Sequence, residues 1–328
     1  QRMCWWASRH IARRSLVDPW LSWGSGWWRK RRSLAGVSMT VDAPYLPFMD
    51  GPSPSTSEFR WRLGVRPLDL ADWIQWGPDT DAALAEKARL NTEFPESVFV
   101  ALDDVEAEST EVADALVRHL AQTAPDQHRT LDQSLHPLDA AARLVPEDLV
   151  LMVERGKGDD RHLVFGAGSV CFPNRWDLRS KLGQTMAEVH APVALLNDQL
   201  EVPVDRFFNR LRPDRSFWRL GWGLLDTPDW YTPLDGTAAP RPETCRPDQL
   251  FLRVERETLR RFPETNCVLF TIRTSITPLP LVSNDPAVWE RLAASVEWMP
   301  PAVREYKDVA EIADGVIEHL RQKVQFNE

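Results

Sequence analysis

HLVFGAGSVCFPNRWDLRSKLGQTMAEVHAPV, residues 162–193, decides the reading of this chain. Its first part, within 161–171, has the character of a strand. Gly166 and Gly168 stand two residues apart there and are expected on one face, because strand side chains alternate. A turn follows, then an amphipathic helix near 177–189 whose Leu178, Leu182, Met186 and Val189 form an apolar stripe. One helical turn separates Met186 from His190, so the imidazole continues that stripe and ends the helix.

Working outward, DLVLMVE (148–154) reads as a buried strand, joined to 161–171 by a hairpin over the charged, glycine-bearing RGKGDD (155–160). Downstream, PVDRFFNRL (203–211) reads as a second helix. FWRLGWGLL (217–225), LFLRVERETLRRF (250–262) and CVLFTIRTSITPL (267–279) read as strands, with PETN (263–266) closing the last pair. Upstream, helices are expected at 81–91, 111–122 and 137–145, the last opened by Pro137; two more, near 286–296 and 308–322, end the chain. Strand–strand–helices–three strands predicts an α+β fold: a five-stranded antiparallel sheet with inserted helices, covered on one side, plus helical N- and C-terminal extensions. This is the element order of PAS-type domains. Residues 59–328 are expected to form one such domain, preceded by a disordered or extended arm over 1–58, within which 40–58 is Pro/Ser-rich.

Composition narrows the function classes. The 328 residues carry a net charge of −9, but residues 1–38 hold eight Arg/Lys, one Asp and six of the fifteen Trp. That basic head could touch a membrane or a nucleic acid; the simpler reading is an upstream extension, with the working protein starting near Met39. The acidic remainder is poorly suited to nucleic acid, which needs positive charge to neutralise phosphates. No run of about 18 apolar residues predicts a membrane span. Cys4, Cys171, Cys245 and Cys267 form no C-x-x-C pair, which argues against a zinc site or iron–sulfur cluster and for reduced, cytoplasmic thiols. There is no G-x-S-x-G, P-loop or H-E-x-x-H, so hydrolase and nucleotide-binding readings lack support.

Several residues carry chemistry or a plainer alternative. Gly166 and Gly168 on one strand, and Gly221 and Gly223 on another, suggest a face cleared for a flat ligand, or else bulges or close packing. A neutral His190 imidazole could bind a haem iron; otherwise it caps a helix C-terminus. His136, before Pro137, reads as orienting a helix start, and His10, His119, His128 and His319 as solvated. Arg273, inside VLFTIRT, needs a partner: Glu255 on the neighbouring strand, or a cofactor carboxylate gripped by two bonds. Arg219, between Trp218 and Leu220, poses the same question. Trp176 and Trp222 could stack on a cofactor or cradle a small amine cation, or be core.

LHPLDAAARLVPEDLVLM, GSVCFPNRWDLRSKLGQTMAEVHAPV, VDRFFNRL, LRVERETLRRFPET and VLFTIRTSITPL together resemble the haem-dependent oxidative N-demethylase family, over roughly residues 59–310. The resemblance implies a PAS-like domain binding haem b and removal of a methyl group from a small secondary amine such as dimethylamine. The reaction uses O2 and releases formaldehyde, with electrons from separate flavin and iron–sulfur reductase subunits. It also implies His190 as the iron ligand, with Arg219, Trp222 and Arg273 as catalytic or propionate-binding candidates. Trp176, Gly166, Gly168, Gly221 and Gly223 are then expected to bind the cofactor. Gly221 and Ser275 depart from the family pattern, which has an Asn and an aromatic residue there, so substrate choice is expected to lie with 217–225 and 267–279. The alternative on the same scaffold is a haem-binding gas or redox sensor; no output domain or coiled coil is evident.

Overall fold

The computed structural model describes residues 45–50, 58–127, 130–234 and 246–325. Most of the expected arm 1–58, with Cys4, Cys245, His10 and His128, lies outside the described residues. One piece of that arm belongs to the domain instead: Phe48 is buried and Tyr45 accepts a 2.5 Å hydrogen bond from Gln75 Nε2.

The alternating segments build one antiparallel sheet. Two three-residue strands, β1 (Arg66–Leu68) and β2 (Phe99–Ala101), lie at its edges. The five expected strands are β3 (Asp148–Arg155), β4 (His162–Ser169), β5 (Ser216–Leu225), β6 (Phe251–Arg261) and β7 (Val268–Pro278). The spatial order is β1-β5-β6-β7-β3-β4-β2, so the sheet has seven strands rather than five. β1 and β2 escape a sequence reading because three residues are too few to show alternation.

Nine α-helices occur among the described residues: α1 (Thr80–Glu93), α2 (Pro95–Val98), α3 (Glu106–Thr123), α4 (Pro137–Ala142), α5 (Met186–His190), α6 (Leu196–Arg210), α7 (Pro286–Trp298), α8 (Pro301–Tyr306) and α9 (Ala313–Gln325). None is long and apolar enough to cross a membrane. They cover both faces of the sheet, not one. On the near face, Val150, Met152, Phe165 and Leu259 pack with Val204 and Phe208 of α6. On the far face, Leu149, Leu151 and Leu269 pack under α3 and α4, while Leu224, Leu252 and Val254 pack under α7 and α9. Burying each such side chain contributes about 1.5–3 kcal/mol, so three clusters leave little of the sheet uncovered.

The exception is β5. It is flanked by β1 and β6, yet residues 217–223 are all only half-buried. β1 pairs with Ser216–Trp218 alone, so among the described residues no strand covers the rest of that edge. Among the described residues, Arg219, Gly221 and Gly223 on the near face of β5 are less covered than the neighbouring core strands.

Candidate active site

A bulge in β4 sets the site's position. Leu151 pairs with Ala167 and Met152 with Phe165, leaving Gly166 as the extra residue. The bulged strand receives the following loop: Phe165 N–H donates to the Gln184 carbonyl and Gly183 N–H to the Phe165 carbonyl, both at 2.8 Å. Gly183 has φ 78°, a turn that glycine makes without a Cβ penalty. That breaks the helix expected over 177–189 into a 3-10 turn, Arg179–Lys181, and the short α5. Thr185 caps α5: its hydroxyl accepts from Glu188 N–H while the Glu188 carboxylate accepts from Thr185 N–H. Lys181 Nζ reaches the Val189 carbonyl at 3.0 Å, and Asn197 Nδ2 the Ala187 carbonyl at 2.8 Å. Trp61 Nε1 donates to the Ala194 carbonyl, tying the segment beyond α5 as well. A one-turn helix has little intrinsic stability, and these side-chain bonds supply what its length does not.

His190 therefore stands at a fixed end of α5, half-buried. Burial, then the Arg219 charge, lower its pKa to about 4. The ring is neutral at physiological pH, the form that can ligate a metal. Met186 and Val189 of α5 pack in the near-face cluster with Phe217 of β5, so α5 lies on the same side of the sheet as Arg219, Gly221 and Gly223.

The floor that these three form faces Glu257, Glu255 and Arg253 of β6 in register. A methyl group on Gly223 would meet nothing closer than Asn174 Nδ2 at 4.0 Å. On Gly221 it would sit 3.4 Å from Glu257 Oε1 and 3.5 Å from Glu255 Oε2. Arg219 Nε lies 3.3 Å from Glu257 Oε2, and Arg253 Nε donates to Glu255 Oε1 at 2.8 Å. Burial raises the pKa of Glu257, and the neighbouring Glu255 charge adds to it against the pull of Arg219. At the open edge, Lys307 Nζ donates to the Trp222 carbonyl at 2.7 Å and lies over the Trp61 and Trp222 rings. Burial lowers its pKa to about 8.

The other candidates lie elsewhere. Arg273 is on the far face, opposite Arg256 rather than Glu255. Its Nη2 donates to Asp79 Oδ1 at 2.5 Å, Nη1 to the Thr274 carbonyl at 2.8 Å and Nε to the Gln75 carbonyl at 3.4 Å. Trp222 also points to the far face, edge-on to Phe48 at 5.6 Å, so neither residue lies over Gly221. Ser275 pairs with Val254, again on the far face, so of the two departures only Gly221 lines the cleft. The expected clearance at Gly166 and Gly168 is filled by the chain itself, on opposite faces because of the bulge. A methyl group on Gly166 would lie 2.7 Å from Val153 Cγ1, and one on Gly168 would lie 2.9 Å from Leu178 Cδ1. Trp176 is half-buried among the near-face apolar residues. His136 orients α4, its ring accepting from Leu138 N–H at 3.3 Å, while His119 packs half-buried on Trp73 instead of being solvated.

Sequence reasoning missed Glu257 beside the β5 floor and read Glu255 only as a partner for Arg273, whereas it pairs with Arg253. Their signal was present: two acids with the same spacing as Gly221 and Gly223, on the adjacent strand.

Among the described residues no group of three or more His, Cys, Asp and Glu could hold a bare metal ion. A haem needs less from the protein: one neutral imidazole, a cleared floor and cations near its carboxylates. His190, the Gly221–Gly223 strip, and Arg219 with Lys307 fit that requirement. Residues 64–317 match the family described as haem-dependent oxidative N-demethylase, alpha subunit-like, and that span is well over half the chain. The chain belongs to that haem-dependent oxidative N-demethylase, alpha subunit-like family.

Proposed function

We propose that this chain is the haem-bearing catalytic subunit of an oxidative N-demethylase acting on a small secondary amine of the dimethylamine kind, with haem b ligated by His190. The observation that carries the proposal is a half-buried imidazole at the capped end of α5, on the same side of the sheet as the glycine-cleared strand β5. A PAS-like scaffold is supported by the order of the five long strands and by α5 and α6 lying between β4 and β5 in sequence. When bound, haem supplies O2 activation: the N-methyl carbon leaves as formaldehyde, one O2 oxygen leaves as water, and two electrons and two protons are consumed.

The chain's own residues bind and orient. α5 carries His190 at its end, and the Thr185 cap with the Lys181 and Asn197 side chains fixes that helix. Arg219 places positive charge on the floor, where it can meet a haem carboxylate or a developing negative charge. The electrons are assigned to separate flavin and iron–sulfur reductase subunits, as the family resemblance implies. The test is purification with haem supplementation. A Soret band, then formaldehyde formed stoichiometrically from dimethylamine under reducing, aerobic conditions, is the expected result. A colourless protein after reconstitution overturns the proposal.

A further inference from the structure

Two consecutive residues at the turn between α8 and α9 reach both sides of α5. Half-buried Lys307 donates to the Trp222 carbonyl on the open edge of β5 and lies over the Trp61 ring, 5.7 Å from its centroid. Trp61 in turn donates from Nε1 to the Ala194 carbonyl and from its backbone N–H to Gln199 Oε1, both at 2.8 Å. Ala194 stands four residues beyond His190. Asp308 pairs with Arg175, in the loop that leads from β4 into α5. The same guanidinium pairs with Asp226, one residue past β5, whose side chain is 2% exposed. One chain of contacts thus ties the segment leaving α5 to the floor strand, and a second ties the segment entering α5 to that strand's end.

The backbone carries a second, independent sign. Arg175 and Asp308, the two ends of one ion pair, both have left-handed backbones, with φ 55° and 60°. Arginine adopts that region at a cost, and it persists where the surroundings over-determine it. Here Arg175 N–H donates to the Thr232 carbonyl at 2.7 Å, while the Thr232 N–H and hydroxyl both donate to the Pro173 carbonyl, at 3.3 and 2.9 Å.

We propose that Lys307 and Asp308 are positioning residues, the two arms of a brace that sets how far α5, and with it His190, stands from β5. A one-turn helix cannot hold that spacing alone. A group seated between a ligand and a floor needs both held to within about 0.5 Å. The brace is a property of the haem-free chain, and its bearing on haem rests on the proposed function.

The experiment is hydrogen exchange on the haem-free chain, followed by haem transfer from the loaded chain to an excess of a haem-scavenging protein. Two amides report the arms: Val193 N–H, which donates to the His190 carbonyl, and Arg175 N–H. Lys307→Met removes the Nζ bond, and Trp61→Phe keeps a ring beneath Lys307 while removing the bond to Ala194. Each should speed exchange at Val193 roughly threefold to tenfold. Asp308→Asn, which tolerates the left-handed backbone, should do the same at Arg175. All three should speed haem loss by a similar factor. Arg304→Met is the control: it removes bonds from the same helix α8 to the Met299 and Glu297 carbonyls, away from α5. It should lower the urea midpoint and leave both amides and haem loss at wild-type rates. Wild-type exchange in all three brace variants, an equal rise in Arg304→Met, or loosened amides with unchanged haem loss would each overturn the brace. A chain that takes up no haem counts against the haem reading alone, because the exchange rates still decide the brace.

Discussion

Replacing Arg273 by Met separates a far-face structural role from a site role. The substitution keeps much of the side-chain volume and removes the charge and all three hydrogen bonds, to Asp79, Gln75 and Thr274. Breaking a buried pair by deleting one partner costs about 3–5 kcal/mol. Asp79 is 37% exposed and can rehydrate, which places the loss near the lower end, about 3 kcal/mol. A second contribution depends on pH. Glu147 is fully buried, its Oε2 has no partner, and burial raises its pKa from 4.5 to about 6, although Arg273 pulls it down. A carboxyl whose native pKa is raised binds its proton more tightly when folded, so stability is lost as pH rises from 4.5 to 6, about 2 kcal/mol in the unaltered protein. Without Arg273 the native pKa rises further and the loss continues above pH 6. Urea unfolding at pH 5.5 and pH 8 should therefore show a larger deficit for Arg273→Met at pH 8. Haem uptake by the folded variant should match wild type. A variant of wild-type stability that fails to take up haem would refute the argument and return Arg273 to the site.

Other outcomes follow from the same geometry. His190→Ala should leave a folded chain that no longer retains haem, read as loss of the Soret band after gel filtration. Gly166→Ala and Gly168→Ala each force a Cβ to within 3 Å of a neighbour and should cost about 1–3 kcal/mol in chemical denaturation. Gly223→Ala meets no such neighbour and should leave stability within about 0.5 kcal/mol of wild type. Lys307, with its pKa lowered to about 8, binds its proton less tightly when folded, so stability should rise with pH between 8 and 10.5. Lys307→Met should flatten that rise in a pH series of unfolding curves.

The long strands were legible because period-two alternation is a direct consequence of strand geometry. β6 and β7 follow their segments to within a residue or two at each end. The α5 region was legible in its apolar stripe and misread in its continuity. Leu178, Leu182 and Met186 keep helical spacing across a turn that Gly183 and the Thr185 cap interrupt, though T-M-A-E is itself a capping-box signature. Which face of a strand meets the site was not legible at all. Alternation shows that Arg273 shares a face with Leu269 and Thr271, but only the register of β6 against β7 shows that this face is opposite to Arg219. The β4 bulge inverted the expectation for Gly166 in the same way, because one extra residue reverses every face assignment on one side of it.

That bulge also sets limits on how this chain can change over generations. The loop that carries His190 is hydrogen-bonded to Phe165, beside the extra residue. Deleting one residue at 166 would restore a regular ladder and turn Phe165 and its neighbours out of the near-face core, carrying the loop's anchor with them. Point substitutions along α5 can be absorbed by a one-turn helix held from outside. Insertions or deletions in β4 cannot, so length variation among relatives that keep His190 should fall outside residues 162–190.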